Sequence, residues 1–178
     1  MPERMSPSFA ATNMTWNNIF DLSHIGVYGH SFGGGAAAMM CHLDDRVIAG
    51  LALDGYFQGD VVTQEFDKPF LMMLAEGHFD QDNASQALWE KITGGAYRAE
   101  VTGSTHYGYT DVGILLTHLT PLLSRKTVGF GTIAPKRLIE ITNAYEQAFF
   151  GIHLQGKNLD SILNLSDLYE EVYFEYKP

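Results

Sequence analysis

Short runs of apolar residues recur along this chain and predict a series of buried strands. The first run begins at Ile25 and reaches Tyr28 without a polar residue, and two more occupy residues 47–53 and 69–75. A run with no polar face is typical of a parallel strand that is covered on both sides. We therefore predict three buried strands, and we expect the first to lie at the centre of a sheet.

Segments with helical spacing follow these strands. Residues 32–43 are rich in glycine and alanine, which let a helix pack close to a strand. Asn83 is a candidate N-cap with Gln86 at the third helical position, so the pattern predicts a crossover helix there. Apolar residues at helical spacing predict two more helices, over 112–119 and 138–152.

The remaining segments carry weaker patterns. Residues 97–102 alternate between apolar and polar positions, which predicts a fourth and more exposed strand. The aromatic and acidic residues 169–176 are expected to form a short helix and a covering segment. Residues 1–22 are interpreted as an irregular lead-in, formed by a loop or a short helix. Because the chain shows no repeat and no linker, we expect a single domain over residues 1–178.

Strands that alternate with helices predict a mainly parallel α/β sheet, here of about four strands. In such sheets ligands bind outside the carboxyl ends of the strands. Four residues with suitable chemistry lie at or just past such an end: Ser31, Asp54, Glu76 and His106. One edge of the predicted sheet therefore collects a nucleophile, candidate acids and a base.

The motif at the first of these ends is G-x-S-x-G, formed by residues 29–33 between a strand and a helix. That context predicts a nucleophile elbow, in which a strained turn exposes the serine hydroxyl. We expect Gly29 and Gly33 to let the backbones around the serine approach closely. The backbone N–H of Phe32 is the predicted donor to the oxyanion of a tetrahedral intermediate.

A serine hydroxyl is a weak nucleophile, so it needs an imidazole as base and a carboxylate that orients this imidazole. His106 is the predicted base for Ser31. The acid has two interpretations, either Asp54 or the pair Asp80 and Asp82 in the loop after the third strand. Geometry leaves both open, since Asp54 also suits a turn before a glycine and Asp82 also suits a helix N-cap.

The other histidines have weaker claims to a role. His78 lies in a loop near the same edge, but we do not expect it to line the pocket. We expect His30 to pack beside the elbow. The other four are expected to be surface or packing residues: His24, His42, His118 and His153. No pair of histidines has the spacing of a metal site.

Composition narrows the function classes. The formal charge is −10, from 21 acidic and 11 basic residues, so nucleic acid and anionic membrane surfaces are not expected partners. The single cysteine, Cys41, forms no internal disulfide and leaves the compartment unassigned. We find no signal-peptide pattern and no run of eighteen apolar residues, so we expect no transmembrane segment. No metal and no cofactor are predicted.

The sequence also resembles a known family. Residues 25–35, I-G-V-Y-G-H-S-F-G-G-G, followed by Asp44-Asp45-Arg46 and by the segment 50–55, resemble the α/β-hydrolases of the platelet-activating-factor acetylhydrolase type, in its plasma and intracellular isoform II forms. Residues 141–150 are similar to the C-terminal helix of bacterial members. The fold implied by this resemblance is that of an α/β-hydrolase.

The resemblance implies a serine ester hydrolase, an esterase or lipase that acts through an acyl-enzyme. It implies Ser31 as nucleophile, His106 as base and Asp54 as the acid, in preference to Asp80. The implied substrates are small esters or lipids, and the implied reaction needs no cofactor.

The sequence departs from the family in its length. A complete member has several strands before the elbow, and the loop after one of them gives the second oxyanion donor, whereas here 24 residues precede Ile25. We therefore expect the C-terminal portion of an α/β-hydrolase, and a catalytically impaired fragment or interaction module is the alternative function. An elbow strand without its neighbour has an open edge, which predicts pairing with a second copy of the chain.

Overall fold

The computed structural model describes residues 20–119 and 129–178, so the predicted lead-in lies almost entirely outside the described residues. The strands are β1 Ile25–His30, β2 Val47–Leu53, β3 Phe70–Ala75, β4 Ala96–Val101 and β5 Val172–Lys177. The helices are α1 Phe32–Leu43, α2 His78–Gln81, α3 Asn83–Lys91, α4 Val112–Leu119, α5 Pro135–Gln155 and α6 Asp160–Leu163. Short 3-10 turns cover Gly59–Val62, His106–Tyr109 and Asn164–Asp167.

The five strands form one sheet in the order β1-β2-β3-β4-β5. The first four strands are parallel, and β5 runs antiparallel to β4. His30 pairs with Leu53, and Leu53 pairs with Met73, so the carboxyl ends of β1, β2 and β3 meet at one edge. The predicted mainly parallel α/β sheet is confirmed, with one strand more than expected.

The extra strand is the C-terminal tail. The prediction of a short helix and a covering segment was wrong for residues 172–177, which pair with β4 along its whole length. Aromatic residues alternate there with Glu175 and Lys177, and such alternation suits an edge strand. This partner also explains why β4 is mostly buried rather than more exposed, as the sequence had suggested.

The core lies on both faces of β3, which is central. Alternate residues of a strand point to opposite faces. Phe70, Met72 and Leu74 pack on the side of α1 and α3, whereas Leu71 and Met73 pack on the side of α5. All five side chains are fully buried, and burying each one stabilises the fold by about 2 kcal/mol. The continuous apolar run of β3 is therefore read correctly as a strand covered on both faces.

β1 has a different environment from β3. Within the described residues it pairs with β2 alone, so it lies at the edge of the sheet rather than at its centre. Its residues are only partly buried, and Tyr28 is 62% exposed. The apolar run could not reveal this, because Ile25 and Val27 still pack on the core beside α1.

No helix in the described part of the chain is long and apolar enough to cross a lipid bilayer.

Candidate active site

Ser31 forms the turn between β1 and α1. Its backbone has φ 57° and ψ −121°, a left-handed φ that costs a non-glycine residue about 1–3 kcal/mol. Two hydrogen bonds hold this conformation: the Ser31 N–H donates to the Leu53 carbonyl at 2.9 Å, and the Tyr56 N–H donates to the Ser31 carbonyl at 2.9 Å. The predicted sharp turn is present, and the end of β2 supports it.

Glycines make this turn possible. A Cβ atom at Gly29 would lie less than 3.0 Å from the carbonyl of Gly33, and one at Gly35 would meet the carbonyl of Tyr56 equally closely. A Cβ at Gly33 itself would meet nothing within 4 Å. The expected close approach therefore requires glycine at position 29. At Gly33 the backbone takes part in this approach, but a side chain there would meet no obstacle.

Phe32 is the first residue of α1. The backbone N–H groups in the first turn of a helix have no partner inside the helix. The N–H of Phe32 is therefore available for a ligand beside Ser31, as the motif predicts.

Asp54 follows β2 and is the buried centre of the site, with 2% of its surface exposed. Its φ of 46° lies in the left-handed region, which aspartate tolerates better than most residues. Asp54 Oδ2 lies 2.6 Å from His106 Nδ1, and Asp54 Oδ1 accepts a hydrogen bond from the Ala75 N–H at 2.8 Å. Of the candidate acids, Asp54 is the one that contacts the predicted base.

A second imidazole binds the same carboxylate. His78 Nδ1 lies 2.5 Å from Asp54 Oδ1, and His78 Nε2 lies 3.4 Å from Asp82 Oδ2. We did not expect His78 to line the site, and this contact is the main feature that the sequence reasoning missed. The available signal was its place just after the carboxyl end of β3, where Gly77 turns the chain with φ 72°.

His30 connects the elbow to the predicted base. Its Nε2 lies 2.9 Å from the His106 carbonyl oxygen, and the centroids of the two rings are 4.6 Å apart. His30 directly precedes Ser31, so this contact brings the loop of His106 to the end of β1. The Ser31 hydroxyl makes no hydrogen bond to any other described residue.

Two glutamates brace the loops that carry the histidines. Glu76 accepts a hydrogen bond from the Gly103 N–H at 3.0 Å, and Glu100 accepts one from the Gly77 N–H at 2.8 Å. Glu76 was expected at the carboxyl edge as a candidate acid. It instead ties the loop after β3 to the loop after β4.

The alternative acids lie elsewhere. Asp82 is the N-cap of α3, because its carboxylate accepts from the backbone N–H groups of Ala84 and Ser85, so the cap is one residue earlier than the predicted Asn83. Asp80 is exposed on α2. Neither carboxylate hydrogen-bonds to His106 within residues 20–119 and 129–178.

Burial and hydrogen bonding act in opposite directions on the charges of this cluster. Burial alone raises the pKa of Asp54, but hydrogen bonds from His78, Ala75 and His106 outweigh it and hold this pKa below its ordinary value. The hydrogen bond to Asp54 raises the pKa of His78 against the opposing effect of burial, and Asp82 adds to the rise. Asp54 is therefore ionised, and His78 holds a proton more firmly than an ordinary histidine.

Exposed aromatic side chains lie close in sequence to the three candidate site residues. Phe32 follows the serine, Tyr56 lies two residues after Asp54, and Tyr107 follows His106, with 5.5 Å between the centroids of these last two rings. All three side chains are more than half exposed. Among the described residues, no group of three His, Cys, Asp or Glu side chains is arranged to hold a metal ion.

Comparison with known proteins finds one family model and two relatives that are named as esterases. The family model described as platelet-activating factor acetylhydrolase, isoform II, matches residues 6–171. A protein of Arthroderma benhamiae, named a probable 1-alkyl-2-acetylglycerophosphocholine esterase, is 27% identical over 167 residues, which cover 85% of this chain and 43% of that protein. The ferulic acid esterase of Streptomyces cinnamoneus matches with a TM-score of 0.76 and 29% identity, over 86% of this chain and 47% of that structure.

These matches confirm the fold class and show how much of the fold the chain spans. The sheet and its flanking helices correspond to part of an α/β-hydrolase esterase, and the chain spans less than half the length of both relatives. The match of the family model extends over almost the whole sequence. The chain belongs to the platelet-activating factor acetylhydrolase isoform II family.

Proposed function

We propose that this chain carries the catalytic residues of a serine ester hydrolase, with Ser31 as nucleophile, His106 as base and Asp54 as the orienting acid. The observation that carries the proposal is the 2.6 Å contact between Asp54 Oδ2 and His106 Nδ1, next to a serine held at φ 57°. A carboxylate on Nδ1 fixes the tautomer in which Nε2 is free to accept a proton. Esterase relatives support the same reaction class.

The proposed reaction has two steps. In the first, Ser31 Oγ attacks the ester carbonyl carbon while His106 Nε2 takes its proton, and the alcohol then leaves with that proton. This leaves an acyl group on Ser31. In the second step, a water molecule gives a proton to His106 and attacks the acyl carbon, which releases the acid and restores the serine.

The negative charge on the carbonyl oxygen needs hydrogen-bond donors in both steps. Phe32, at the N-terminus of α1, offers its backbone N–H for this purpose. The loss of one such donor typically lowers the rate by about 10²–10³-fold. The backbone N–H of Phe32 is therefore expected to contribute strongly to the rate of both steps.

The proposed substrates are esters with a short acyl group or an aromatic acid. One relative is named for an acetylglycerophosphocholine and the other for ferulic acid. The exposed rings of Phe32, Tyr56 and Tyr107, which lie close in sequence to the site residues, offer apolar surface for either kind of acyl group. Hydrolysis of p-nitrophenyl acetate and of methyl ferulate by the same protein distinguishes the two classes.

A fluorophosphonate probe tests the proposal directly, since it reacts covalently with activated serines. We expect the folded chain to be labelled at Ser31 and the Ser31→Ala variant to remain unlabelled. Ser23→Ala is the matched control, because Ser23 is an exposed serine whose hydroxyl is bound to Asp21. If folded protein is not labelled at all, the alternative of an inactive interaction module replaces the hydrolase.

We also propose that the edge of β1 that no described strand covers pairs with β1 of a second copy. β5, at the other edge, carries the charged residues Glu175 and Lys177, which discourage pairing. β1 contains no Asp, Glu, Lys or Arg and exposes Tyr28 on this edge strand. Edge pairing is favoured where the strand is flat and uncharged.

Light scattering at micromolar concentration tests this pairing. We expect a dimer for the wild type and a monomer for Tyr28→Lys, which places a charge on the edge strand. Tyr173→Lys is the control, because Tyr173 is an exposed tyrosine on β5, and this variant is expected to remain dimeric. A monomeric wild type contradicts the proposal.

A further inference from the structure

The carboxylate of Asp54 lies between two imidazoles, and this arrangement assigns a role to the second one. We propose that His78 is a positioning residue that holds Asp54 against His106 and, through its own proton, shapes the pH dependence of proton transfer from Ser31. This inference rests on the proposed function of Ser31 and His106. It concerns a residue that the G-x-S-x-G motif does not include.

The first part of the argument is geometric. The two oxygens of Asp54 have separate partners, since Oδ1 is bound by His78 Nδ1 at 2.5 Å and by the Ala75 N–H at 2.8 Å, whereas Oδ2 faces His106 at 2.6 Å. Without His78, Oδ1 retains a single backbone donor. The carboxylate then gains freedom to rotate, and the orientation of His106 loosens with it.

The surroundings of the two rings distinguish their roles. His78 has its outer nitrogen, Nε2, directed to Asp82 at 3.4 Å, so that it bridges two carboxylates. His106 is the more exposed ring, at 39% against 23% for His78, and it is packed against His30 at the end of β1. His106 is therefore suited to proton exchange with Ser31, and His78 to holding a proton in place.

The second part of the argument is electrostatic. The groups that face His78 are Asp54 from the end of β2 and Asp82 from the start of α3, with His106 on the far side of Asp54. The two carboxylates keep His78 protonated to a higher pH than usual, since its pKa is raised. A positive charge at His78 offsets part of the negative charge that His106 experiences from Asp54. The pH dependence of Ser31 labelling is therefore expected to change when the charge at His78 is removed.

The rate of fluorophosphonate labelling of Ser31, measured from about pH 5 to about pH 9, tests the inference, because labelling requires His106 to be free of its proton. We expect His78→Asn to label about 3–10-fold more slowly at its plateau. We also expect the midpoint of its profile to move to higher pH by about half a unit to one unit, because the neighbouring positive charge is gone.

His24→Asn is the matched control, since His24 is an exposed histidine that is also paired with an aspartate, Asp21. It is expected to leave both the plateau and the midpoint unchanged. A His78→Asn profile that coincides with the His24→Asn profile overturns the inference. A purely structural role for His78 lowers the plateau but leaves the midpoint in place, and that result also contradicts the electrostatic part.

A second measurement does not depend on activity. In NMR titrations of the wild type, the ring signal of His78 is expected to change at a higher pH than that of an ordinary histidine, and Asp82→Asn is expected to lower that midpoint. If wild-type protein is not labelled but His78 titrates in this way, the proposed function fails. The interaction of a protonated His78 with Asp54 and Asp82 is then still supported. If His78 titrates as an ordinary histidine, the inference fails whether or not Ser31 is labelled.

Discussion

The two halves of the candidate site are held in place by different kinds of interaction. The elbow, residues 29–35, is fixed by its backbone conformation and by close contacts that only glycine permits. At Gly29 and Gly35 a neighbouring backbone carbonyl lies where a Cβ atom would be. The acid and histidine cluster, formed by Asp54, His78 and His106, is fixed by hydrogen bonds between charged groups. A methyl group added at Gly29 or Gly35 should therefore break the elbow, whereas a change of charge or pH should break the cluster.

The two halves depend on each other at one point. Ser31 and Asp54 both have positive φ, and the backbone bonds between Ser31 and residues Leu53 and Tyr56 join the two turns. Strain of this kind persists only where the surrounding structure holds it. Variants that affect one half and spare the other are therefore the clearest tests of this division.

The largest expected effect comes from Asp54→Asn. Asparagine tolerates positive φ and has nearly the same shape, so the fold should be retained. If its oxygen keeps the Ala75 N–H bond, its amide group faces His106 Nδ1, which must then accept a hydrogen bond and carry its proton on Nε2. His106 cannot accept the serine proton in this tautomer, so we expect the labelling rate of Ser31 to fall by about 10⁴-fold.

Asp80→Asn is the control for this experiment, because Asp80 is exposed and was an alternative acid in the sequence. We expect it to label at the wild-type rate. A large loss in Asp80→Asn together with a small loss in Asp54→Asn would show that the acid has been assigned wrongly.

The second effect tests the elbow with two matched glycines of α1. A Cβ at Gly35 would lie less than 3.0 Å from the Tyr56 carbonyl, whereas one at Gly33 would meet nothing within 4 Å. Because the Tyr56 backbone also binds Ser31, Gly35→Ala should lower the free energy of unfolding by about 3 kcal/mol. Gly33→Ala should raise it by up to about 1 kcal/mol, since alanine favours helix. Urea unfolding measures both, and equal stabilities would contradict the steric account of the elbow.

Sequence reasoning reached one half of the site more completely than the other. The elbow is local, so a strand, a G-x-S-x-G motif and a helix along residues 25–43 were sufficient to predict it. The rule that chemistry gathers at the carboxyl ends of parallel strands predicted that Asp54 and His106 share one edge, and the family resemblance favoured Asp54 over Asp80 as the acid. The contact of His78 with Asp54 was not predicted, because it depends on the orientation of the turn after β3. The spacing of apolar residues along the sequence does not determine that orientation.

The fold shows the same limit. The apolar runs of β2 and β3 predicted buried strands correctly, since each is covered on both faces by its neighbours. The tail was misread, because residues 172–177 form a strand. The apolar run of β1 suggested a central strand, whereas among the described residues β1 lies at an edge, as the comparison with complete family members had predicted. The position of a strand within a sheet is set by pairing partners distant in sequence, which a local pattern does not contain.

The third effect uses pH to separate the cluster from the elbow. The lowered pKa of Asp54 gives stability that is present above the ordinary aspartate value and is lost as pH falls through the lower folded value. The raised pKa of His78 gives stability that is present below the ordinary histidine value and is lost as pH rises through the higher folded value. The cluster should therefore stabilise the fold most between about pH 4 and about pH 6.5.

His78→Phe removes the charged hydrogen bond and retains a ring. We expect it to be less stable than the wild type by about 2 kcal/mol near the acidic end of this window, with a difference that shrinks as pH rises. Urea unfolding at several pH values provides the measurement. A difference that stays constant with pH would mean that the ring of His78 stabilises by packing and not by charge.

The smallest expected effect separates hydrogen bonding from charge at the outer end of the cluster. Asp82 accepts from the backbone N–H groups of Ala84 and Ser85 as the N-cap of α3, and its carboxylate also faces His78. Asparagine caps a helix as well as aspartate does, so Asp82→Ala should cost about 1 kcal/mol more than Asp82→Asn. Both variants remove the negative charge next to His78. Thermal unfolding of the pair therefore measures the cap alone, and a loss of stability in Asp82→Asn as large as that in Asp82→Ala would assign the contribution of Asp82 to its charge on His78.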